Sequence, residues 1–264
     1  MSSSARRALR ILETVGAAER PVGATEVGRA LGLSAGTVFR GLDALERAGY
    51  VARFQASARY VLGASVGGLR QTLLAQFPIR DICMPYLRQL AFASGETASL
   101  TVRLGWYGVR IAAAPGTNEV TSSPPLGAAR LLSDGGACRA ILALLRPAAA
   151  ADFSAWAQAH GKAVPEKKAL ERDLKAIRER GFAVEETAFA RGRAALALPV
   201  RGGDQAVAAI AVEGPVLDLR RPESHPDLPH WREIVRSVER LVQARPALLA
   251  GPFDHLDAAT IVLP

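Results

Sequence analysis

Residues 33–51, LSAGTVFRGLDALERAGYV, decide the fold of the N-terminal part of the chain. Ser34 is a suitable N-cap, and Gly49 ends the helical pattern that follows it. Between them, apolar side chains recur at the three- and four-residue spacing of one helix face, at Val38, Leu42 and Leu45. We therefore predict a helix over residues 35–48.

Two shorter helices precede this segment, and a hairpin follows it. Apolar periodicity predicts helices over residues 5–17 and 24–31, with a glycine at position 32 in the turn before the third helix. Residues 50–54 and 59–62 have the composition of two paired strands. Three helices and a hairpin in this order predict a winged helix-turn-helix, in which the third helix enters the DNA major groove.

The rest of the chain alternates between hairpins and helices. A helix predicted over residues 64–76 ends at Phe77-Pro78, and further helices are predicted over 79–93, 135–145, 165–180 and 230–243. Strands are predicted over 96–104, 106–114, 182–187, 193–200 and 206–213. The fold class is therefore α+β, with an antiparallel sheet flanked by helices. The predicted divisions are a DNA-binding domain over 1–63, a linker helix over 64–78, a second domain over 79–245 and a tail over 246–264.

Basic charge is concentrated at the N-terminal end. The chain has a net charge of +8, and its first 70 residues hold ten arginines against five acidic residues. This asymmetry favours a polyanionic partner such as nucleic acid, although a solvated basic face has the same composition.

Several function classes are not expected. We find neither a long uninterrupted apolar run nor a signal-peptide pattern, so the sequence predicts a soluble cytoplasmic protein without membrane association. Cys83 and Cys138 are far apart in apolar surroundings, which predicts neither a disulfide nor a cysteine metal site. The four histidines lie in no metal or phosphate motif, and no cofactor is expected.

One motif formally suggests an enzyme. Gly63-Ala-Ser-Val-Gly67 matches the nucleophile elbow of serine hydrolases, with Ser65 between a strand and a helix. That elbow requires a long parallel sheet, whereas only helices and one hairpin precede Ser65. We therefore expect no enzyme, and keep a Ser65 hydrolase and a ligand-independent DNA-architectural protein as alternatives.

Eight short motifs occur in one order along residues 4–243. They are Arg7-Ala-Leu-Arg-Ile-Leu12, Leu33-Ser-Ala-Gly-Thr-Val-Phe-Arg40, Leu45-Glu-Arg-Ala-Gly-Tyr-Val51, Arg59-Tyr-Val-Leu-Gly63, Gly95-Glu-Thr-Ala98, Ala137-Cys-Arg-Ala-Ile-Leu-Ala143, Gly181-Phe-Ala-Val-Glu-Glu186 and Ile210-Ala-Val-Glu-Gly-Pro215. Together they resemble the isocitrate lyase regulator (IclR) family of transcription factors. The resemblance implies a GAF-like domain that binds a small-molecule effector, and assembly into dimers or dimers of dimers.

The resemblance places operator recognition on the third helix. Arg40 can reach guanine or phosphate, and Phe39 can either touch a thymine methyl or pack within its own domain. Ala35 and Gly36 depart from the basic residue and serine that are frequent in the family. The complete predicted DNA-binding set is Arg7, Arg10, Ala35, Gly36, Thr37, Phe39, Arg40, Arg53, Arg59 and Tyr60.

The resemblance also implies an effector pocket. Its predicted lining is Ser122, Arg130, Gly136, Ala137, Glu185, Ala195, Ala211 and Glu213. The backbone N–H groups at the start of the helix over 135–145 can bind a ligand carboxylate, or they can be capped by Ser133 or Asp134.

The predicted pocket departs from the family pattern at three positions. Ala195 and Ala211 replace positions that are often Cys or Ser, and Glu213 stands where a small hydroxyl residue is frequent. Two carboxylates disfavour an anionic ligand unless Arg130 compensates or the carboxyls are protonated. A small organic or aromatic acid is the first expectation, and a ligand with a donor or cationic group is the alternative.

The expected partners are double-stranded operator DNA, a small-molecule effector and further copies of the chain. Helix-turn-helix proteins dimerise so that two recognition helices reach half-sites about one turn apart. The helix over 64–76 is the predicted dimer contact. The sequence does not distinguish repressor from activator.

Overall fold

The computed structural model describes residues 3–54, 57–117, 125–186, 193–215 and 225–249. The chain divides into two compact units, Met1–Leu73 and Leu74–Pro264. Each unit has its own hydrophobic core.

The N-terminal unit is a three-helix bundle with a small antiparallel sheet. Its elements are α1 (Ser3–Gly16), β1 (Val22–Gly23), α2 (Ala24–Leu31), α3 (Ala35–Arg47), β2 (Val51–Phe54), β3 (Arg59–Leu62) and most of α4 (Ala64–Ala75). The sheet order is β1-β3-β2. The predicted three helices and hairpin are confirmed. The two-residue strand β1 was not predicted, because it is too short to show an alternating pattern.

Apolar residues from all three helices and the hairpin form the core of this unit. The buried set is Ile11, Val15, Val27, Val38, Leu42, Leu45, Val51 and Tyr60. Gly41 lets α1 and α3 approach closely, because a Cβ at this position would lie 2.4 Å from Cδ1 of Ile11. The core thereby fixes the inner face of α3 and leaves its outer face for other contacts.

The turn between α2 and α3 is built on Gly32. Its φ of 63° lies in the left-handed region that favours glycine. Ser34 occupies the N-cap position of α3, but its hydroxyl makes no cap hydrogen bond and instead lies 2.9 Å from the hydroxyl of Thr37. The predicted N-cap position of Ser34 is therefore confirmed, without the side-chain hydrogen bond that usually accompanies it.

The C-terminal unit contains a six-stranded antiparallel sheet. Its helices are α5 (Pro78–Ser94), α6 (Gly136–Ala143), α7 (Ala149–Ala159), α8 (Lys167–Arg180) and α9 (Leu228–Ala244), followed by a 3-10 helix (Pro246–Leu249). Its strands are β4 (Thr97–Leu104), β5 (Tyr107–Ala114), β6 (Ala129–Leu131), β7 (Ala183–Glu186), β8 (Arg193–Gly202) and β9 (Gln205–Pro215). The sheet order is β6-β5-β4-β9-β8-β7. The predicted α+β class is confirmed.

Small side chains let helices lie close to one face of this sheet. Ala197, Ala209 and Ala211 belong to the core cluster that also contains buried residues of α6, α7 and α8. The larger Leu196, Ile210 and Val212 alternate with these alanines and so point to the other face. Helices α5 and α9 contact each other and the sheet.

Some elements of this unit differ from the prediction. Helix α7 and the three-residue strand β6 were not predicted, and Pro165 precedes the N-cap residue of α8, Glu166, instead of lying in its first turn. Of the predicted tail, the structure describes only the 3-10 helix. Within the described ranges, no helix is both long and apolar enough to cross a membrane.

Candidate nucleic-acid interface and ligand pocket

The N-terminal half of α3 presents a small exposed surface. Ala35, Gly36 and Arg40 are exposed, Thr37 is half-buried, and Phe39 is 56% exposed. This exposure excludes the packing alternative for Phe39. A helix of 13 residues is about 20 Å long, enough to lie along a major groove.

Gly36 leaves room for the side chain of Arg40 at this surface. A Cβ at position 36 would lie 3.6 Å from Nη1 of Arg40. The guanidinium therefore lies beside the first turn of α3, where a helix in the major groove meets base edges. A positive charge therefore lies beside a part of the helix that has small side chains.

Further arginines lie on α1 and β2, the elements that precede and follow this part of the sequence. Arg10 and Arg53 are exposed, and Arg7 is half-buried. Exposed guanidinium groups on a helix and on a wing strand suit contacts to phosphate oxygens.

Arg59 has a structural role that the sequence did not reveal. Its Nη1 donates to the carbonyl oxygen of Pro21 at 2.9 Å and to the carboxylate of Glu26 at 3.3 Å. Glu26 also accepts a hydrogen bond from the backbone N–H of Gly23 at 3.0 Å, at the start of α2. Arg59 thus ties β3 to α2, and a phosphate would have to compete with Glu26 for it.

Tyr60 is not part of any exposed surface. It is 4% exposed and packs in the core of the N-terminal unit. Successive residues of β3 point to opposite sides, and the inward side falls on Tyr60. The prediction that Tyr60 contacts DNA is therefore wrong.

Acidification should destabilise the N-terminal unit of the wild-type protein more than that of Glu26→Gln. The backbone N–H of Gly23, and then Arg20 and Arg59, hold the pKa of the Glu26 carboxyl below its ordinary value of 4.5. A depressed folded-state pKa adds stability above the unfolded-state pKa, and this stability is lost as pH falls through the folded-state pKa. Urea unfolding from neutral to acidic pH measures the effect. Glu13→Gln, at an exposed position of α1, is the control. Equal acid sensitivity of wild type and Glu26→Gln would contradict the assignment.

A cavity opens in the C-terminal unit between the sheet and the start of α6. Its volume is about 560 Å³, with the open space at its mouth included. Every predicted pocket residue within the described ranges lines it: Arg130, Gly136, Ala137, Glu185, Ala195, Ala211 and Glu213. Ser122 lies outside the described residues.

Two carboxylates face each other across the floor of this cavity. Ala195 of β8 pairs with Glu185 of β7 on one side and with Glu213 of β9 on the other. Directly paired residues on adjacent strands share a face of the sheet. The small side chain of Ala195 therefore lies between the two acidic residues and leaves the space above it open.

Glu213 is paired with Arg110 of β5. The Arg110 guanidinium forms an ion pair with Oε1 of Glu213, which also accepts a hydrogen bond from Ser99 at 3.1 Å. Glu213 is 2% and Arg110 is 9% exposed. Nη1 of Arg110 is buried and has no hydrogen-bond partner within the parts of the chain that the structure describes.

Glu185 is paired with Arg130 of β6. Nη2 of Arg130 lies 3.2 Å from Oε1 of Glu185, and Oε2 of Glu185 accepts the backbone N–H of Gly136 at 2.6 Å. This N–H is the group expected to bind a ligand carboxylate or to be capped by Ser133 or Asp134. In the structure Ser133 and Asp134 do not cap it, and the Ser133 hydroxyl donates to Asp134 instead. A carboxylate of the chain itself occupies the start of α6.

Gly135 is required where these groups meet. Its φ is +85°, and a Cβ there would lie 2.6 Å from Nη1 of Arg130 and 2.8 Å from Oε2 of Glu185. A side chain at this position would therefore be strained and would separate the ion pair from the helix start.

Sequence reasoning missed Arg110, Thr101, Gly108 and Cys138 of the pocket lining. Arg110 carried a usable signal, because it interrupts an otherwise apolar strand and must face a partner or a cavity. Thr101, Gly108 and Cys138 resemble ordinary strand and helix residues and carried none.

The thiol of Cys138 should be inert in the folded protein. Burial raises the pKa of Cys138 to about 12, and the residue is 4% exposed. The thiolate is the reactive form, so in a Cys83→Ala background alkylation of Cys138 at mildly alkaline pH should be at least about a hundredfold slower in the native than in the denatured protein. Mass spectrometry of iodoacetamide-treated samples measures both rates. Equal rates would show that the pocket wall opens freely.

Ser65 is not arranged as a hydrolase nucleophile. Its hydroxyl donates to the carbonyl oxygen of Ala48 at 3.0 Å, at the start of α4. The strand before it belongs to the three-stranded antiparallel sheet, whereas the elbow needs a parallel sheet. Among the described residues, no group of three or more histidine, cysteine or acidic residues could hold a metal ion.

Both units match known sequence families. Residues 4–53 match the family described as IclR helix-turn-helix domain, and residues 71–240 match Bacterial transcriptional regulator IclR C-terminal. The chain is 31% identical over 223 residues to a glycerol operon regulatory protein of Streptomyces griseus, covering 81% of this chain and 85% of that protein. It is 26% identical over 220 residues to the transcriptional repressor IclR of Escherichia coli, covering 81% and 80%.

Solved structures share the fold. An IclR of Thermotoga maritima has a TM-score of 0.69 at 22% identity, covering 91% of this chain and 98% of that one. An IclR homologue of Microbacterium hydrocarbonoxydans, solved in complex with 4-hydroxybenzoate, has a TM-score of 0.72 at 18% identity, covering 92% and 100%.

Proposed function

Because this chain belongs to the IclR family of bacterial transcriptional regulators, we propose that α3 reads operator DNA and that a small molecule in the cavity of the C-terminal unit modulates that binding. The observation that carries the proposal is the exposed tip of α3. Its inner face is fixed by the core, and its outer face presents Phe39 and Arg40.

The contacts fall into two groups. Gly36, Thr37, Phe39 and Arg40 lie where a recognition helix meets base edges, so they determine sequence preference. Arg7, Arg10 and Arg53 position the protein on phosphates. Tyr60 has no place in this interface, and Arg59 supports the wing through Glu26.

Substituting Arg40 should change which operator is preferred. Arg40→Ala removes a guanidinium that can bind guanine bidentately, which is worth about 1–3 kcal/mol of discrimination. Duplexes selected from a random pool by the wild-type protein, then titrated in mobility-shift assays, measure the change.

The matched control is Arg47→Ala at the other end of α3. Arg47 is 80% exposed and pairs with Asp43, so we expect its loss to leave base preference unchanged. If both variants weaken all duplexes equally, Arg40 contacts phosphate alone. If the wild-type protein binds no duplex at low ionic strength, the proposed DNA binding is wrong.

The cavity supports the sensing half of the proposal. It is concave and lined by apolar surface with a few convergent polar groups, which is typical of small-molecule sites. A bound effector must raise the melting temperature of the protein and change its operator affinity. A ligand that stabilises the protein without changing operator affinity would contradict the proposed regulation, whereas the architectural alternative predicts that no small molecule shifts the melting temperature.

The sequence favoured a small organic or aromatic acid as effector. An acid would have to displace Glu185 from Gly136, or share Arg110 with Glu213, since these carboxylates already occupy the two positions. The effector proposal is therefore kept to a small molecule.

We also propose that the protein acts as a dimer or a dimer of dimers through α4. Leu69 of this helix is 58% exposed, so its side chain is available for a contact with a second copy of the chain. Two recognition helices on one operator require such pairing. Sedimentation of the wild type and of Leu69→Glu tests the contact, and equal masses would contradict it.

A further inference from the structure

Each charged residue that lines the cavity already has a polar partner within the described part of the chain. The charged lining residues are Arg110, Arg130, Asp134, Glu185 and Glu213. Each arginine is paired with one glutamate, and Asp134 accepts a hydrogen bond from Ser133. Among the described lining residues, the cavity therefore offers an incoming charged group no counter-charge that is not already engaged.

The usual anion-binding features of such a cavity are occupied by the chain itself. The N–H of Gly136 at the start of α6 points to Glu185, and the guanidinium of Arg110 points to Glu213. A ligand carboxylate at either position would lie beside a carboxylate of the protein, and the one at Glu213 would also be largely shielded from water. Like charges at such distances are strongly disfavoured.

A cationic ligand meets the opposite obstacle. The nearest carboxylates, Glu185 and Glu213, already have arginine partners, and an ammonium group would approach a guanidinium in order to reach them. Removing a charge from water without a partner carries a cost that hydrogen bonds alone do not offset.

An uncharged group with both a donor and an acceptor fits what remains. Nη1 of Arg110 is buried and lacks a hydrogen-bond partner within the described residues, and an acceptor oxygen would satisfy it once the cavity wall shifts to admit the ligand. A carboxylate has about four lone-pair sites, so Glu185, which accepts from Arg130 and Gly136, can still accept from a ligand donor. Hydroxyl and amide groups supply both functions. The open space above Ala195 lies between these two walls.

We infer that the cavity selects an uncharged ligand that bears hydroxyl or amide groups, and that its Arg–Glu pairs discriminate against acids and amines. This inference rests on the proposed sensing function and specifies its ligand class. Arg110 and Glu213 thereby help to determine ligand specificity. For Arg110, the sequence did not indicate this role.

Two sets of probes test the inference, and within each set the carbon skeleton is similar while the charge of the functional group differs. One set is benzamide, benzyl alcohol, benzoate and benzylamine, and the other is lactamide, propylene glycol, lactate and isopropanolamine. Thermal shift and calorimetry on the full chain at millimolar concentrations should show binding by an uncharged member at least about tenfold tighter than its acid and its amine. Tighter binding of an acid or an amine, or no binding by any uncharged member, would overturn the inference.

A charge variant provides an independent readout. Glu185→Gln keeps an oxygen for the N–H of Gly136 but leaves Arg130 without its carboxylate partner. Its affinity for the acids, measured relative to its affinity for the uncharged probes, should rise at least about tenfold compared with wild type. Glu179→Gln on the surface of α8 is the control, since its carboxylate is 66% exposed. An unchanged acid affinity in Glu185→Gln would contradict the role of this pair.

The outcome is separable from the proposed function. An acid that binds more tightly and also changes operator affinity would overturn the ligand class and leave the regulator proposal standing. Uncharged probes that bind without affecting operator affinity would support the ligand class and contradict the proposed regulation.

Discussion

Glu213→Ala should lower the free energy of unfolding of the C-terminal unit by about 3–5 kcal/mol. The substitution leaves the Arg110 guanidinium buried without its carboxylate, and it removes the acceptor of the Ser99 hydroxyl. An uncompensated buried charge costs more than the pair contributed, because the desolvation of the remaining partner is no longer offset. Urea unfolding followed by circular dichroism measures the change.

Two further variants make this result specific. In the double variant Arg110→Leu/Glu213→Leu neither charge of this pair remains, so we expect most of the loss to be recovered. Glu179→Ala removes an exposed carboxylate that lies 3.8 Å from Lys175, and should cost about 0.5 kcal/mol or less. If Glu213→Ala costs no more than Glu179→Ala, water reaches the Arg110 pair and the site is not desolvated.

Gly63→Ala should lower the free energy of unfolding of the N-terminal unit by about 3 kcal/mol. The variant should therefore lose DNA binding at a lower temperature than wild type, because its N-terminal unit unfolds earlier on heating. Gly63 lies where β3 meets α4, and its N–H donates to the carbonyl oxygen of Tyr50 at 2.8 Å. A Cβ there would lie 2.2 Å from the carbonyl oxygen of Gly49. Backbone cannot rotate away as a side chain can, so the junction of β3 and α4 must move away from the backbone at Gly49 and Tyr50.

Gly67→Ala is the matched control for this prediction. It lies in α4, where a Cβ would meet no atom within 4 Å. Alanine is favoured over glycine inside a helix by about 1 kcal/mol, so this variant should be slightly more stable than wild type. Thermal unfolding of both variants decides the matter, and similar melting temperatures would show that the junction at Gly63 adapts easily.

The sequence predicted the winged helix-turn-helix because each part has a local pattern. Leu42 and Leu45 follow helical periodicity, and Gly32 and Gly49 mark the ends of helices. Tyr60 was misplaced because its assignment came from a resemblance rather than from the alternation along β3. A check of that alternation against the core would have turned its ring inward.

The pocket was predicted in its membership but not in its pairing. Motif positions carried Glu185 and Glu213 to the correct cavity, where both line the wall. Their partners were not predictable, because Arg130 is 55 residues from Glu185 and Arg110 is 103 residues from Glu213. Long-range ion pairs leave no periodic trace in a sequence, and only the folded sheet brings them together.

The strands β6 and β7 are the two outermost members of the six-stranded sheet. In a flat sheet, five spacings of about 4.8 Å would hold them roughly 24 Å apart. Arg130 of β6 and Glu185 of β7 nevertheless approach to 3.2 Å, so the sheet curves until side chains of its two outermost strands meet. A movement of either outer strand would therefore reach the groups of the proposed ligand site directly, without passing through the hydrogen-bonded centre of the sheet.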